Sequence, residues 1–205
     1  MKLKKFLLIA VLLFSFVSVP VSYADFGADI CSGGTSFADN YVNGWGPQFA
    51  FDGVLYPANG IAGTCWYANT GGVHSLGYSW SGGQKYTVAQ YTVTAAADVG
   101  YFPKTWTFQG QSDDAVWHTL DTQTNLSFSH NETKIFNAFT NTTAYSSYRL
   151  YMTAYGSSGQ PEINELQFME VLDDHMGGMT ADNYAFIVGL IGAVCGLVFC
   201  MGLHQ

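Results

Sequence analysis

The sequence predicts an all-β sandwich set between two apolar terminal segments, and three features carry that expectation. Between residues 86 and 169, runs of five to nine β-branched and aromatic residues alternate with clusters of Gly, Ser and Asp, the pattern of strands and turns. No long amphipathic repeat of helical period and no repeat of solenoid length is present. Charged residues make up 11% of the chain against 16% for aromatics, so the polar surface rests mainly on hydroxyls and amides, as suits an exported β-protein.

The first segment, Met1–Ala24, opens on Lys2, Lys4 and Lys5, runs through the apolar stretch Phe6–Val19 and closes on Ser22-Tyr23-Ala24. A basic start, a short apolar middle and a small-residue site predict a signal peptide cleaved between Ala24 and Asp25. Its loss leaves Lys85, Lys104, Lys134 and Arg149 against fifteen carboxylates, a formal charge of −11. So acidic a surface repels phosphate backbones and argues against nucleic acid as a partner.

Residues 25–170 then form one domain of ordinary size. The opening part, Phe26–Ser79, is rich in Gly and Asn and reads as long loops, where binding determinants gather. Strands are expected at Tyr86–Thr94, Thr105–Gln109, Ala115–Leu120, Lys134–Phe139, Ser147–Tyr155 and Ile163–Met169. Alternation places Leu150, Met152 and Ala154 on one face and Arg149, Tyr151, Thr153 and Tyr155 on the other, a half-buried antiparallel strand. Ser81-Gly82-Gly83, Ser112-Asp113-Asp114 and Gly156-Ser157-Ser158-Gly159 supply turns. Many short strands at this spacing make a sandwich.

A polar linker, residues 171–182, leads to a predicted membrane helix at 183–203. Asp173-Asp174-His175 within the linker reads as a solvated spacer, not a metal site. Tyr184–Leu203 is twenty residues without a charge, and at ~1.5 Å per residue it crosses the ~30 Å hydrocarbon core. The expected product is a single-pass membrane protein with its domain on the periplasmic or extracellular side. Cys195 and Cys200 fall inside this helix, whereas Cys31 and Cys65 fall in the exported domain. In an oxidising compartment the latter pair is expected to form a disulfide.

Several stretches, taken together, resemble the coagulation-factor type C, or discoidin, domains. Phe49-Ala50-Phe51-Asp52-Gly53 and Thr64-Cys65-Trp66 look like the family's "A-x-D-G…T-x-W" opening. Leu76–Trp80 followed by Val88–Val93 is similar to its strand pair leading into the sandwich. Pro103-Lys104-Thr105-Trp106 through Asp113-Asp114, with Trp117, Leu120 and Asp121, is similar to "P-x-x-W-x-L-x-G-S-x-D-G-x-x-W-x-x-L-D". Tyr148-Arg149-Leu150 and Ile163–Phe168 complete it as "Y-R-L" and "I-x-E-L-x-F". The resemblance spans about Ala50–Phe168 and implies a galactose-binding-like jelly-roll β-sandwich of two antiparallel sheets. It departs at Gly110-Gln111-Ser112, which carries an extra residue, and at Asp114, where Gly is usual.

The resemblance also implies a structural Ca²⁺ held by Asp52 and Glu165, with Thr64 and loop carbonyls such as that of Phe49 assisting. It assigns Trp66, Trp106 and Trp117 to the core. The aromatic and imidazole groups left over are Trp45, Tyr67, His74, Tyr101, Phe102 and Tyr155. Flat rings for the C–H face of a sugar, beside groups for its hydroxyls, point to glycan binding at these six. Catalysis has no comparable support, because no G-x-S-x-G, H-E-x-x-H or C-x-x-C occurs.

The layout of signal, exported domain and C-terminal anchor resembles the adsorption (minor coat) protein of filamentous phages, without a shared motif. The reading is a membrane-anchored, virion-incorporated glycan or cell-surface binding module acting in attachment. Its rival is a structural or protein-interaction sandwich in a membrane or coat assembly. Within 183–203, Gly192 and Gly196 form a G-x-x-x-G pair beside a second small-residue stripe at Ala185, Gly189 and Ala193, a surface for close packing against a partner helix. Replacing Gly192 and Gly196 together by Ile should abolish helix association in a membrane two-hybrid assay while leaving insertion intact. Unchanged association would reduce the segment to a plain anchor.

Overall fold

The computed structural model describes residues 25–55, 63–96 and 100–172. The predicted signal peptide, residues 173–182 of the linker and the predicted membrane helix lie outside these. Among the described residues no helix is long and apolar enough to cross a membrane.

In chain order the elements are β1 (Gly34–Ala38), a 3₁₀ turn (Pro47–Ala50), β2 (Trp66–Tyr67), β3 (His74–Trp80), β4 (Val88–Ala95), β5 (Pro103–Gln111), β6 (Trp117–Gln123), β7 (Thr133–Phe136), β8 (Ser147–Tyr155) and β9 (Glu162–Glu170). They form a five-stranded sheet ordered β1-β3-β8-β5-β6 and a four-stranded sheet ordered β2-β9-β4-β7. Every pairing is antiparallel. The all-β sandwich of two antiparallel sheets is therefore the architecture that the strand pattern predicted.

Alternation decides which side chains meet in the middle. From the five-stranded sheet come Leu76, Tyr78 and Trp80, Trp106 and Phe108, and Tyr148, Leu150 and Met152; from the other come Tyr91, Val93, Ile163, Leu166 and Phe168. β8 has the predicted bounds, with Leu150 and Met152 fully buried and Arg149 and Tyr151 on the outer side. β-bulges opposite Glu165 and within the β5–β6 ladder each insert one extra residue, which increases local twist.

Phe26–Ser79 is more ordered than its loop-rich composition predicts, since β1 pairs with β3 from Gly34↔Trp80 to Ala38↔Leu76. β3 and β4 do not pair; the Ser81–Thr87 connection carries the chain from one sheet to the other. The strand expected from Ala115 begins at Trp117, because Ala115 takes a left-handed φ of 63° to close the β5–β6 hairpin. That left-handed residue is the consequence of the extra residue in this turn. Trp117 pairs with Gln111 on the outer face, which removes it from the core.

The expected disulfide is also corrected: Cys31 and Cys65 are both free thiols. Cys31 sits beside Asp29 and Glu165, whereas Cys65 sits beside Thr64 and Glu162. Their chain neighbours Ile30 and Trp66 meet β9 at Phe168 and at Ile163, five residues apart along the strand, whereas a disulfide needs Cα atoms within about 7 Å. Burial pushes both thiols well above their usual pKa.

Tyr148 ties the two sheets together. Its ring is fully buried, stacked on Phe108 at 5.4 Å and 5.9 Å from Phe168 of the facing sheet. Its hydroxyl donates to the Tyr86 carbonyl (2.6 Å) and accepts from the Val88 N–H (3.1 Å) and Asn141 Nδ2 (3.1 Å). Tyr148→Phe keeps the ring but orphans the buried Val88 N–H. Chemical denaturation should show a loss of about 1–3 kcal/mol, with near-unchanged m-value.

Candidate functional site

Two adjoining features occupy the flank of the sandwich where β2 and the preceding loops cover β9. The first is a carboxylate pocket. The 3₁₀ turn, begun by Pro47, ends at Phe51, whose ring packs on Tyr78 and Phe168. That anchorage brings Asp52-Gly53 against β9. Gly53 has φ 74°, which glycine adopts without strain, and its N–H donates to Glu165 Oε1 at 3.1 Å. The other oxygen, Glu165 Oε2, is shut away from solvent with no partner among the described residues.

Burial drives the Glu165 carboxyl up to about 8; the Gly53 N–H opposes this, and Asp52 and Asp29 add to it. Asp52, also raised by burial, caps its own turn by accepting from the Val54 N–H at 2.9 Å. Thr64 is buried nearby in sequence to β2. Asp29, which sequence reasoning passed over, accepts from Phe168 N–H (3.0 Å) and so fixes the N-terminal segment along β9. An orphaned buried carboxylate oxygen with two further carboxylates in its field fits a hard cation such as Ca²⁺ in donor type. Among the described residues no three carboxylate, imidazole or thiol groups form a ready ligand set, so carbonyl and hydroxyl oxygens must supply the remainder.

The second feature is an aromatic row. Segment 42–45 hydrogen-bonds to Tyr67 from both sides (Val42 N to Tyr67 O, 2.9 Å; Tyr67 N to Trp45 O, 3.2 Å). Trp45 stands edge-on to Tyr67 at 6.0 Å, and Tyr67 edge-on to Tyr101 at 5.4 Å. All three are half-buried. Tyr67 donates to Gln160 Oε1 at 2.6 Å, and Gln160 Nε2 donates to the Asn69 carbonyl at 3.0 Å. Burial, then the neighbouring Tyr101, raises the Tyr67 phenol. Gln160 and Asn69 had no aromatic signature to mark them; the Gly-Ser turn before Gln160 was the available clue.

The remaining predicted ligand residues take other roles. His74 is 2% exposed, with Nδ1 2.9 Å from Asp39 Oδ2 and Nε2 2.6 Å from the Thr70 carbonyl. Nε2 thus holds the 69–73 loop and Nδ1 the Asp39 side chain, and neither is free for a ligand. Tyr155 donates to the Gly72 carbonyl at 2.6 Å, tethering the same loop. Phe102 packs against Phe128 at 6.0 Å and joins the core. Of the six, Trp45, Tyr67 and Tyr101 come together as one row.

The family 32 carbohydrate-binding module of Clostridium perfringens NanJ, solved in complex with galactose, superposes with a TM-score of 0.56 at 17% identity, covering 68% of this chain and 95% of its own. A coagulation-factor type C domain from Bacteroides fragilis gives 0.56 at 15% identity over 73% of this chain and 99% of its own. Chitosan-binding module 1 of the Paenibacillus sp. IK-5 chitosanase/glucanase gives 0.53 at 18% identity, covering 69% and 98%. The fold is that of the discoidin-like, galactose-binding-like domains. At these identities the likeness is one of fold. No protein-family model and no curated relative matches the sequence.

The raised Glu165 carboxyl has a stability consequence in chelator. The folded state holds a proton that the unfolded state releases near pH 4.5, so stability is greatest below that pH and falls as pH rises toward 8. The melting temperature of the chelated protein should drop by roughly 5 °C or more between pH 5 and 8, and Glu165→Gln should flatten that slope. A slope of equal size in the variant would remove Glu165 from the account.

Proposed function

We propose that this chain is a glycan-binding module displayed from a membrane and used in attachment. The single observation that carries the reading is the Trp45–Tyr67–Tyr101 row, half-buried and bordered by amides, on a fold whose neighbours include carbohydrate-binding modules solved with sugars. The ring faces would receive the C–H face of a pyranose. The Tyr67 and Tyr101 hydroxyls, hydrogen-bonded to each other and through Tyr67 to Gln160, keep lone pairs that can accept from a sugar hydroxyl. The side chain of Asn69, exposed at the same loop, can both donate and accept. Nothing in this arrangement activates a nucleophile or positions an acid, and the role proposed is binding alone.

The placement of the row suits display. β9 begins at Glu162, whose N–H bonds to Tyr101, and ends at Glu170 beside Gly27. Phe26 bridges Val171, so both chain ends leave from that far end. Nine residues of strand separate the two by roughly 30 Å. With the signal peptide removed, a membrane helix at 183–203 would thus hold the aromatic row away from the bilayer, on a cell surface or a virion. Ca²⁺ at Glu165, Asp52 and Asp29 would pin the Asp52-Gly53 loop to β9, beneath the segment that carries Trp45; bound calcium keeps Glu165 ionised and would cancel the loss of stability at rising pH.

Titration of the full-length chain with sugars chosen from a glycan array should yield binding that Trp45→Ala, Tyr67→Ala and Tyr101→Ala each weaken about tenfold, ~1.4 kcal/mol, with little change in melting temperature. Variants that bind as well as wild type would overturn the reading. Pull-down of a membrane or coat protein without any sugar binding would favour a protein-interaction role.

A further inference from the structure

The outer face of the five-stranded sheet carries a second set of groups that the aromatic row does not use. Cross-strand pairing aligns its central line as Phe37, Gly77, Arg149, Gln109 and Thr119, from β1 to β6. On one side lie Ser79, Ser147, Gln111 and Trp117; on the other lie Ser75, Tyr151, Thr107 and Thr122. The chain holds fifteen carboxylates, yet the one that borders these lines, Asp39 beside Ser75, is already held by the Ser75 N–H and by His74.

Gly77 forms the floor. A Cβ there would stand 2.5 Å from the Phe37 ring and 2.3 Å from the Tyr148 carbonyl, so glycine lets Phe37 lie across the sheet. Trp117 reaches back from the opposite edge until the two rings are 6.2 Å apart. Arg149 lies between the aromatics, its guanidinium carbon 4.0 Å from the Trp117 centroid and 5.0 Å from that of Tyr151. Its Nε donates to Gln109 Oε1 at 2.8 Å. The ion pairs among the described residues belong to His74, Lys85 and Lys134, and none to Arg149. Burial lowers its pKa without an anion to offset the cost. On the same face the Thr107 hydroxyl is closed from solvent and unpartnered among the described residues.

We propose that this face is a second sugar site, for a sugar that bears a carboxylate. With its carbon over the Trp117 ring and its Nε given to Gln109, Arg149 keeps its two terminal nitrogens for a carboxylate, which they can grip with two parallel hydrogen bonds. Trp117 and Tyr151 offer ring faces beside it for the pyranose. Beside it the Gln109 amide and the Thr119 hydroxyl, 3.4 Å apart, offer polar groups for the ring substituents. The counter-charge that the acidic chain fails to supply comes from the ligand. The inference rests on the glycan reading for the class of ligand, but on different residues.

The test is titration of the full-length chain with trigalacturonic acid and sialyllactose, against galactotriose and lactose as neutral counterparts. At least one acidic probe should bind tenfold or more tighter than its counterpart and weaken as salt is raised. Affinity for that acidic probe should fall at least tenfold in Arg149→Gln and in Trp117→Ala, and partly in Arg149→Lys, while Ile135→Ala, exposed on the other sheet, leaves it within twofold. Melting curves confirm that each variant is folded, and should Trp117→Ala unfold, Arg149→Gln carries the test alone. No preference for either acidic probe overturns the proposal, as does a preference lost in Tyr67→Ala and kept in Arg149→Gln. Self-association that disappears in Arg149→Gln, with no acidic sugar bound, identifies a protein interface instead and also overturns it. Neutral binding lost only in Tyr67→Ala would leave the first site standing whatever happens at this one.

Discussion

Closing two sheets over an unusually aromatic interior is the constraint on which the other features depend. Tyr148 stacks on Phe108 and meets Trp80 and Tyr145 nearly at right angles, at 6.0 and 5.6 Å. Phe168 and Tyr91 come from the facing sheet to complete the cluster. Rings pack well only at a few mutual angles, so this cluster fixes the offset of one sheet upon the other. Once Phe168 is placed, β9 is placed, and with it Glu165, Glu162 and the N-terminal segment that binds alongside. Polar groups inside such a core need partners, which is why Trp106 Nε1 meets the Tyr91 hydroxyl, and that hydroxyl meets Asp121, at 3.1 and 2.7 Å.

Much of the sandwich was legible in the sequence because alternation is a direct consequence of strand geometry. Ser147–Tyr155 carries large apolar residues at every second position and was read to the residue. β1 was not legible: Gly-Thr-Ser-Phe-Ala has one apolar side chain of size, and it points outward. What makes β1 a strand is the neighbouring β3, whose edge it covers, a tertiary cause that no local pattern records. The Trp117 assignment failed for a related reason. The extra residue in the hairpin changes which face a following side chain takes, since side chains alternate with a period of two.

The candidate site was legible in part. Loop aromatics left over after assigning the core included the three that form the row, but spacing could not separate them from His74 and Tyr155, whose polar atoms face inward to tether a loop. Nor could it reveal that Asp29, from a different segment, joins Glu165 and Asp52, because that meeting depends on the N-terminal residues lying along β9. The cysteine expectation shows the limit of compartment arguments. An oxidising environment permits a disulfide, but only distance decides it, and the residues next to the two thiols meet β9 at separate points, Phe168 and Ile163.

Charge distribution separates the two faces of the problem. Glu165, Asp52 and Asp29 gather negative charge at one point on the flank, where each raises the cost of ionising Glu165 and a divalent cation would relieve all three. Arg149 is the reverse case: a single cation set among rings, hydroxyls and amides, in a chain otherwise crowded with carboxylates. Its contacts within the chain are to neutral groups, Gln109, Trp117 and Tyr151, and no carboxylate pairs with it among the described residues. A neutral side chain would cover Gly77's neighbourhood at lower desolvation cost. Its carbon lies 4.0 Å from the Trp117 centroid and its Nε is given to Gln109, which leaves the terminal nitrogens for a further acceptor. That is the division of labour expected of an arginine kept for an anion that arrives from outside.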